Sequence, residues 1–236
     1  MNDAIRPLGP PVDPSPAHPP GPATMAGRFG SVARLDAARD AAMLWQSIGR
    51  HGDIWTYIST SGPFAGEHAF TAWLVERESS NDPYFYTVRD NGGRALGILA
   101  MIAIRPPMRV IEVGHIVYSL TLQRTQLATE TQYLLARYVF ETLGYRRYEW
   151  KCDALNEAST RAALRYGFVF EGVFRQHMIT KGRNRDTAWF SMLDSEWPLR
   201  KRNFERWLAP ENFDGDGRQK VSLAVLNEQN KPGRRA

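Results

Sequence analysis

Residues 114–135 read GHIVYSLTLQRTQLATETQYLL, and they decide the fold. β-Branched and aromatic residues dominate the first part, which predicts that residues 109–119 form a strand. Apolar residues then recur at helical spacing, so residues 127–143 should form a helix that ends before Gly144. Polar residues lie between the two segments. The stretch therefore predicts a strand that runs through a polar loop into the start of a long helix.

The segment before this stretch predicts two helices followed by a hairpin. Asp36 can cap a helix with an apolar stripe that ends near Gly49, and residues 66–78 form a second helix. Residues 84–89 and 95–104 then have the composition of strands. Asn91-Gly92-Gly93 between them favours the positive backbone angles of a tight turn, so these strands should pair antiparallel.

The segment after the long helix predicts further alternation of strands and helices. A strand over residues 146–154 leads into a short helix from Asn156 to Gly167. Residues 173–180 and 187–193 are predicted strands on either side of a turn, and a final helix includes Trp197.

The two ends of the chain predict tails around one domain. Residues 7–22 are so rich in proline that backbone ladders and core packing are disfavoured, and we expect residues 1–27 to be disordered. Asp214-Gly215-Asp216-Gly217 indicates a loose end, so residues 211–236 are predicted to be a flexible tail. A length of 236 residues favours one folded domain, over residues 28–210.

Composition narrows the class of protein further. The net charge of +5 suits an anionic partner, either a phosphate-rich cofactor or nucleic acid. The longest apolar stretch is residues 95–104, far short of the roughly 20 residues that span a bilayer, and no hydrophobic signal core is present, so a cytoplasmic protein without membrane contact is expected. Cys152 is the only cysteine and is interpreted as a small buried residue. Five scattered histidines do not suggest a metal site.

Three motifs in order carry a resemblance to a known family. They are residues 114–135, residues 156–172 (NEASTRAALRYGFVFEG) and residues 174–192 (FRQHMITKGRNRDTAWFSM). Together they resemble the GNAT superfamily of N-acetyltransferases, its RimJ/RimL branch, over roughly residues 32–208. The resemblance implies an α/β (α+β) fold with a central mixed, mostly antiparallel twisted sheet of about six or seven strands flanked by helices. It also implies direct transfer of an acetyl group from acetyl-CoA to a primary amine.

In this family a Gln/Arg-x-x-Gly-x-Gly/Ala segment wraps the pyrophosphate of the cofactor at the start of the long helix. Residues 123–128 occupy that place, with Gln126 where the family has its first glycine. Unpaired N–H groups and the helix dipole favour an anion there. In isolation, the segment would instead be a polar loop with a helix cap. The cofactor-binding residues implied by the resemblance are Val117, Ser119, Gln123, Arg124, Thr125, Gln126, Ala128, Thr129, Asn156 and Ser159.

The resemblance also implies candidates for the chemistry. Asn156 would contact pantetheine, although it could simply cap the short helix. The tyrosine that serves many relatives as general acid is replaced by Ala163, and Tyr166 is out of phase with that position. Ser159, near the thioester sulfur, is the candidate proton donor to the departing thiolate.

Glu112 is the candidate general base, because it precedes Gly114 by two residues on the central strand and should share its face of the sheet. A solvent-facing residue or an ion-pair partner is the alternative interpretation. His115, expected on the opposite face, and His177 are further candidates, because an unperturbed histidine titrates near neutral pH.

The acceptor site is expected near the loop between the first two helices, where Trp55, Tyr57 and Phe64 could form an aromatic wall. The acceptor is a protein N-terminus, an amino acid or a small amine. Two other functions stay open: CoA binding without turnover, and ribosome or RNA binding through basic segments such as residues 183–185. Nucleic acid is not the expected partner, and the protein is expected to be a monomer or a homodimer.

Overall fold

The computed structural model describes residue 6 and residues 8–229. Its strands are β1 (Thr24–Ala26), β2 (Gly30–Arg34), β3 (Tyr84–Asp90), β4 (Ala95–Arg105), β5 (Val110–Tyr118), β6 (Arg147–Asp153), β7 (Val169–Thr180) and β8 (Arg183–Leu193). Its helices are α1 (Ala37–Leu44), α2 (Glu67–Glu78), α3 (Gln126–Arg137), α4 (Glu157–Tyr166), α5 (Trp197–Leu208) and α6 (Leu223–Gln229). Among the described residues, every helix is too short or too polar to span a bilayer.

The eight strands form one sheet in the order β1-β2-β3-β4-β5-β6-β8-β7. Neighbours in this sheet pair antiparallel, except β5 and β6, which are parallel and joined by α3. A parallel pair needs such a crossover connection. One hydrophobic cluster lies between the sheet and α3, α4, α5 and α6, and a second lies under α1 and α2. The α/β prediction with a mixed, mostly antiparallel sheet is confirmed, and the strand count is eight.

The N-terminal segment differs from the disorder predicted for residues 1–27. Residues Thr24–Ala26 pair with β2, and Ala17 is buried. Ala17 N donates to Pro106 O over 3.1 Å, and His18 N donates to Leu143 O over 2.9 Å. Proline has no backbone N–H to donate, but the N–H groups of the residues between the prolines still form hydrogen bonds with the domain. Residues 1–5 and 7 lie outside the described residues.

The C-terminal segment also differs from the predicted flexible tail. After α5 the chain turns back and forms α6, whose Leu223 and Leu226 are buried in the cluster that lies over α3. These apolar side chains are spaced for one helical face, which explains the packing of so short a helix. Residues 230–236 lie outside the described residues.

Candidate active site

The parallel strands β5 and β6 separate in the middle of the sheet. Their pairing runs from Val110 and Arg147 to Val113 and Trp150, while β5 continues to Tyr118 and β6 to Asp153. The unpaired halves of both strands line a cleft of about 1470 Å³, together with the start of α3. The sheet therefore opens at the point where the polar loop enters the helix.

A bulge in β5 helps to shape this opening. Val113 packs in the cluster next to α3, whereas Val117 packs in the cluster under α1 and α2, although an even spacing should place both on one face. Between them His115 has a φ of 49°, and its ring lies 5.2 Å from that of Phe85 in the second cluster. His115 therefore shares the face of Glu112, and the prediction of opposite faces is wrong because the bulge adds one residue.

The start of α3 provides backbone donors to the cleft. Thr125 is the N-cap, and its hydroxyl accepts a hydrogen bond from Ala128 N over 3.1 Å. The N–H groups of Gln126 and Leu127 precede the first intrahelical bonds, so they are available to an anion. The left-handed residue of the loop is Arg124, at φ 63°. Gln126 is helical, so its position does not require the conformational freedom of the family's glycine.

The other predicted residues of this segment divide into two groups. Val117, Gln123, Ala128 and Thr129 line the cleft. Ser119 does not: it is buried, and its hydroxyl accepts from Leu122 N over 3.2 Å. We therefore interpret Ser119 as a residue that stabilises the turn after β5.

Asn156 and Ser159 begin α4 at the wall of the cleft. Asn156 Oδ1 accepts from Ser159 N over 3.1 Å, so Asn156 caps the helix, as the alternative interpretation expected. Ser159 Oγ accepts from Trp150 Nε1 over 3.0 Å. Because the indole occupies an acceptor position of the hydroxyl, the hydroxyl hydrogen is available for donation to another group.

Glu112 lies in the cleft as a buried carboxylate, 6% exposed. Burial raises its pKa, and the charge and hydrogen bond of Lys151, whose Nζ is 2.8 Å from Glu112 Oε2, oppose that rise. Lys151 also lies 3.1 Å from Glu149 Oε2 and 3.8 Å from the ring centroid of Trp189. The carboxylate is thus an ion-pair partner, and it is also poised to accept a proton because burial disfavours its charge.

The other proposed acids and bases have different environments. Burial lowers the pKa of His115 to about 4, so its imidazole is neutral at pH 7. The His177 Nδ1 atom lies 2.9 Å from Thr187 Oγ1, and His177 does not line the cleft. Tyr166 does line it, and burial raises the pKa of its phenol.

The predicted aromatic wall is only partly present. Trp55 is fully buried, donates from Nε1 to Ile48 O over 3.0 Å, and packs 5.0 Å from the ring of Phe64. Neither residue lines the cleft, because both join the cluster formed with Phe70 and α2. Tyr57 does line it: the side chain is 40% exposed, and its hydroxyl donates to Leu155 O over 3.3 Å.

Sequence reasoning missed several residues of the cleft. Lys151 follows from strand alternation, since Trp150 and Cys152 share one face of β6 and the residue between them must face the other. Arg185 on β8 also lines the cleft, and its charge, like that of Lys151, opposes the rise that burial causes in the pKa of Glu112. Residues near the C-terminus also line the cleft, among them Trp207, Phe213 and Arg218, and no sequence motif indicates them.

Similarity to known proteins shows which family has this fold and cleft. Residues 33–169 match the family described as "Acetyltransferase (GNAT) domain". The chain belongs to this family and is a GNAT N-acetyltransferase, an enzyme class that uses acetyl-CoA as its acetyl donor.

Particular relatives support the same assignment. A GCN5-related N-acetyltransferase from Brucella melitensis is 43% identical, with a TM-score of 0.87 over 91% of this chain and 98% of that one. A probable GNAT acetyltransferase from Chromobacterium violaceum is 41% identical, with a TM-score of 0.76 over 84% and 100% of the two chains. The uncharacterized N-acetyltransferase YoaA of Bacillus subtilis is 27% identical over 136 residues, 58% of this chain and 70% of the relative.

Proposed function

We propose that the protein transfers the acetyl group of acetyl-CoA directly to a primary amine, with Glu112 as the general base and Ser159 as the proton donor. The observation that carries this proposal is the placement of a buried carboxylate at the point where β5 and β6 separate. Ser159 lies on the wall of the same cleft. A base and an acid at one opening are what acetyl transfer to an amine requires.

The cleft fits the acetyl donor in size and charge. Ligand sites commonly enclose about 300–1,000 Å³, and this cleft, at about 1470 Å³, is larger, as a long donor together with an acceptor would need. The N–H groups of Gln126 and Leu127 would hold the pyrophosphate, with the charge of Arg124 beside them. The free edge of β5 after Val113 would hydrogen-bond the pantetheine arm as an added strand.

In the reaction, the acceptor amine loses a proton to Glu112, directly or through water, and its nitrogen attacks the acetyl carbonyl carbon. A C–N bond forms, the C–S bond breaks, and the departing thiolate takes a proton from Ser159 Oγ. The attacking nitrogen gives up its second proton, through water, to the serine oxygen, which restores the hydroxyl, and Glu112 releases its proton to solvent. The hydrogen bond from Trp150 Nε1 supports this donation, because it stabilises negative charge on the serine oxygen.

The acceptor is proposed to be a protein N-terminus, an amino acid or a small amine, as the RimJ/RimL-like motifs suggest. Tyr57, Glu112 and Arg185 all line the cleft. A mixed surface of this kind suits a polar acceptor with an apolar part.

Two measurements test the proposal. Thermal unfolding with acetyl-CoA at 100 times its dissociation constant should show about 2.7 kcal/mol of added stability. Release of free thiol from acetyl-CoA, followed colorimetrically with a panel of peptides, amino acids and polyamines, should then reveal an acceptor. Binding without turnover of any amine would favour the CoA-binding alternative, and absence of a shift at millimolar acetyl-CoA would refute the proposal.

A further inference from the structure

Arg185 is a cation of the cleft that the proposed reaction does not use. It lies on β8, which pairs antiparallel with β6 in a register that sets Trp189 opposite Lys151. Side chains of β8 at even spacing from Trp189 share the face of Lys151, and Arg185 is one of them. Lys151 Nζ donates to Glu112 Oε2 on this same face. The strand therefore places the guanidinium on the side of the sheet that holds the proposed base.

The guanidinium of Arg185 is less well paired than the neighbouring ammonium of Lys151. Lys151 Nζ contacts two carboxylates, those of Glu112 and Glu149, at 2.8 and 3.1 Å. Arg185 acts on Glu112 through its charge alone, and within the part of the chain that the structure describes its buried Nε has no hydrogen-bond partner. A buried donor without an acceptor is costly, so this group is suited to bind an acceptor atom of a ligand.

The two groups, Glu112 and Arg185, suit the two polar groups of an amino acid. A guanidinium binds a carboxylate through two parallel N–H···O bonds, and a carboxylate base takes the proton of an amine. In an α-amino acid the amine and the carboxylate are one carbon apart, so one small molecule can meet both side chains. A polyamine has no group for Arg185, and its second positive charge would be repelled. A protein N-terminus has a neutral amide in place of the carboxylate.

The surroundings of Arg185 also favour a small acceptor. Tyr57 donates from its hydroxyl to Leu155 O, just after β6, over 3.3 Å, and Lys181 Nζ in the turn between β7 and β8 donates to Trp55 O over 2.8 Å. The loop between α1 and α2 is thus joined both to the end of β6 and to that turn. Ile54 of the same loop lines the cleft and offers apolar surface to a side chain. The space beside Arg185 is therefore bounded by this loop.

We infer that the acetyl acceptor is a free α-amino acid, with Arg185 binding its carboxylate and Glu112 receiving the proton of its amine. This inference rests on the proposed function, because it takes the cleft as the site of acetyl transfer. It makes Arg185 the residue that determines acceptor specificity. The carboxylate takes no part in the transfer, and its role is to hold the amine beside the base.

The test compares each protein amino acid with its carboxamide, which replaces the carboxylate by a neutral group of similar shape and also represents a protein N-terminus. The assay is kcat/KM of the acceptor for thiol release from acetyl-CoA, with spermidine as a further probe. The variant is Arg185→Gln. The matched control is Arg175→Gln on β7, which removes an equal charge from an exposed residue that does not line the cleft. Thermal midpoints check that each protein is folded.

The wild-type enzyme should prefer at least one amino acid to its carboxamide by about tenfold or more, the scale of charge-assisted hydrogen bonds. Arg185→Gln should lower kcat/KM for that amino acid by about tenfold or more and leave its carboxamide within about threefold. The carboxamide is an internal control, because an altered pKa of Glu112 would affect both acceptors alike. Arg185→Lys keeps the charge without the paired donors, so its preference should lie between the two.

Three results would overturn the inference while acetyl transfer to an amine stands. They are a wild-type enzyme that uses carboxamides or spermidine at least as well as any amino acid, an Arg185→Gln enzyme with equal effects on both members of a pair, and the same loss in Arg175→Gln. Binding of acetyl-CoA without thiol release to any of these acceptors would count against the inference and the proposed function together. The comparison within the wild-type enzyme needs no variant, so it decides even where a substitution impairs folding.

Discussion

Replacing Glu112 by glutamine tests the proposed base while keeping the size of the side chain. The change removes the carboxylate that lies 2.8 Å from Lys151 Nζ. Breaking a buried ion pair commonly costs about 3–5 kcal/mol because one charge is left alone. In this variant Lys151 still contacts Glu149 at 3.1 Å and the ring of Trp189. We therefore expect the free energy of unfolding to fall by only about 1 kcal/mol, the scale of one hydrogen bond.

The effect on the rate should be much larger than the effect on stability. A positioned general base raises the reaction rate about 10²–10⁴-fold, which lowers the activation free energy by roughly 3–5 kcal/mol at 1.36 kcal/mol per tenfold. In the wild-type protein the base must be ionised, and burial raises the pKa of Glu112. Activity should therefore fall as the pH drops through a pKa above the ordinary value, and this acidic limb should vanish in Glu112→Gln.

The assay is kcat/KM for thiol release against pH, together with denaturant unfolding. Glu149→Gln is the control, because Glu149 belongs to the same buried ion-pair network but does not line the cleft. The reasoning would be refuted by a Glu112→Gln enzyme that keeps its rate within about threefold, or by equal losses of rate in both variants.

Three further substitutions separate chemistry, donor binding and packing. Ser159→Ala should lower kcat about 10²-fold or more while the affinity for acetyl-CoA changes little; a lowered affinity with an unchanged kcat would contradict its role as acid. Thr125→Val removes the cap of α3 and should cost about 1 kcal/mol by denaturant unfolding, with weaker CoA binding in calorimetry; full stability would argue against the cap. Trp55→Ala should lower the free energy of unfolding by about 3–5 kcal/mol in the same measurement, since the side chain is fully buried. Unchanged stability with a raised KM for the acceptor would instead place Trp55 in the wall of the acceptor site.

The order of elements could be predicted because each long segment has one clear period. β5 lies within one residue of its predicted bounds. The long helix begins one residue early, and a π-helical turn, Tyr138–Thr142, continues α3 to within one residue of the predicted end. β1, by contrast, is a three-residue edge strand, too short to show any alternation. Its presence depends on pairing with β2, which is a tertiary interaction that the local sequence does not encode.

In the candidate site, too, local features could be predicted from the sequence, whereas features that depend on tertiary packing could not. Gln123 to Thr129 lie where the motif predicts, because the motif is local to a helix start. Trp55 and Tyr57 are two residues apart in one loop, yet packing against α2 buries the first and leaves the second in the cleft. The positive φ of His115 is not readable from its residue type, so the face of this side chain could not be predicted from strand alternation.

Several parts of the chain fix α3, whose first turn faces the cleft. Glu130, 5% exposed, accepts hydrogen bonds from Arg28 N over 2.7 Å and Phe29 N over 2.8 Å in the turn between β1 and β2. Tyr133 donates to Glu205 of α5 over 2.9 Å, and Gln132 donates to Tyr118 of β5 over 2.8 Å. Donors that are already positioned lose little freedom when a ligand binds. The N-terminal strands and the C-terminal helices therefore hold the backbone N–H groups of α3 in one place, as the proposed pyrophosphate site requires.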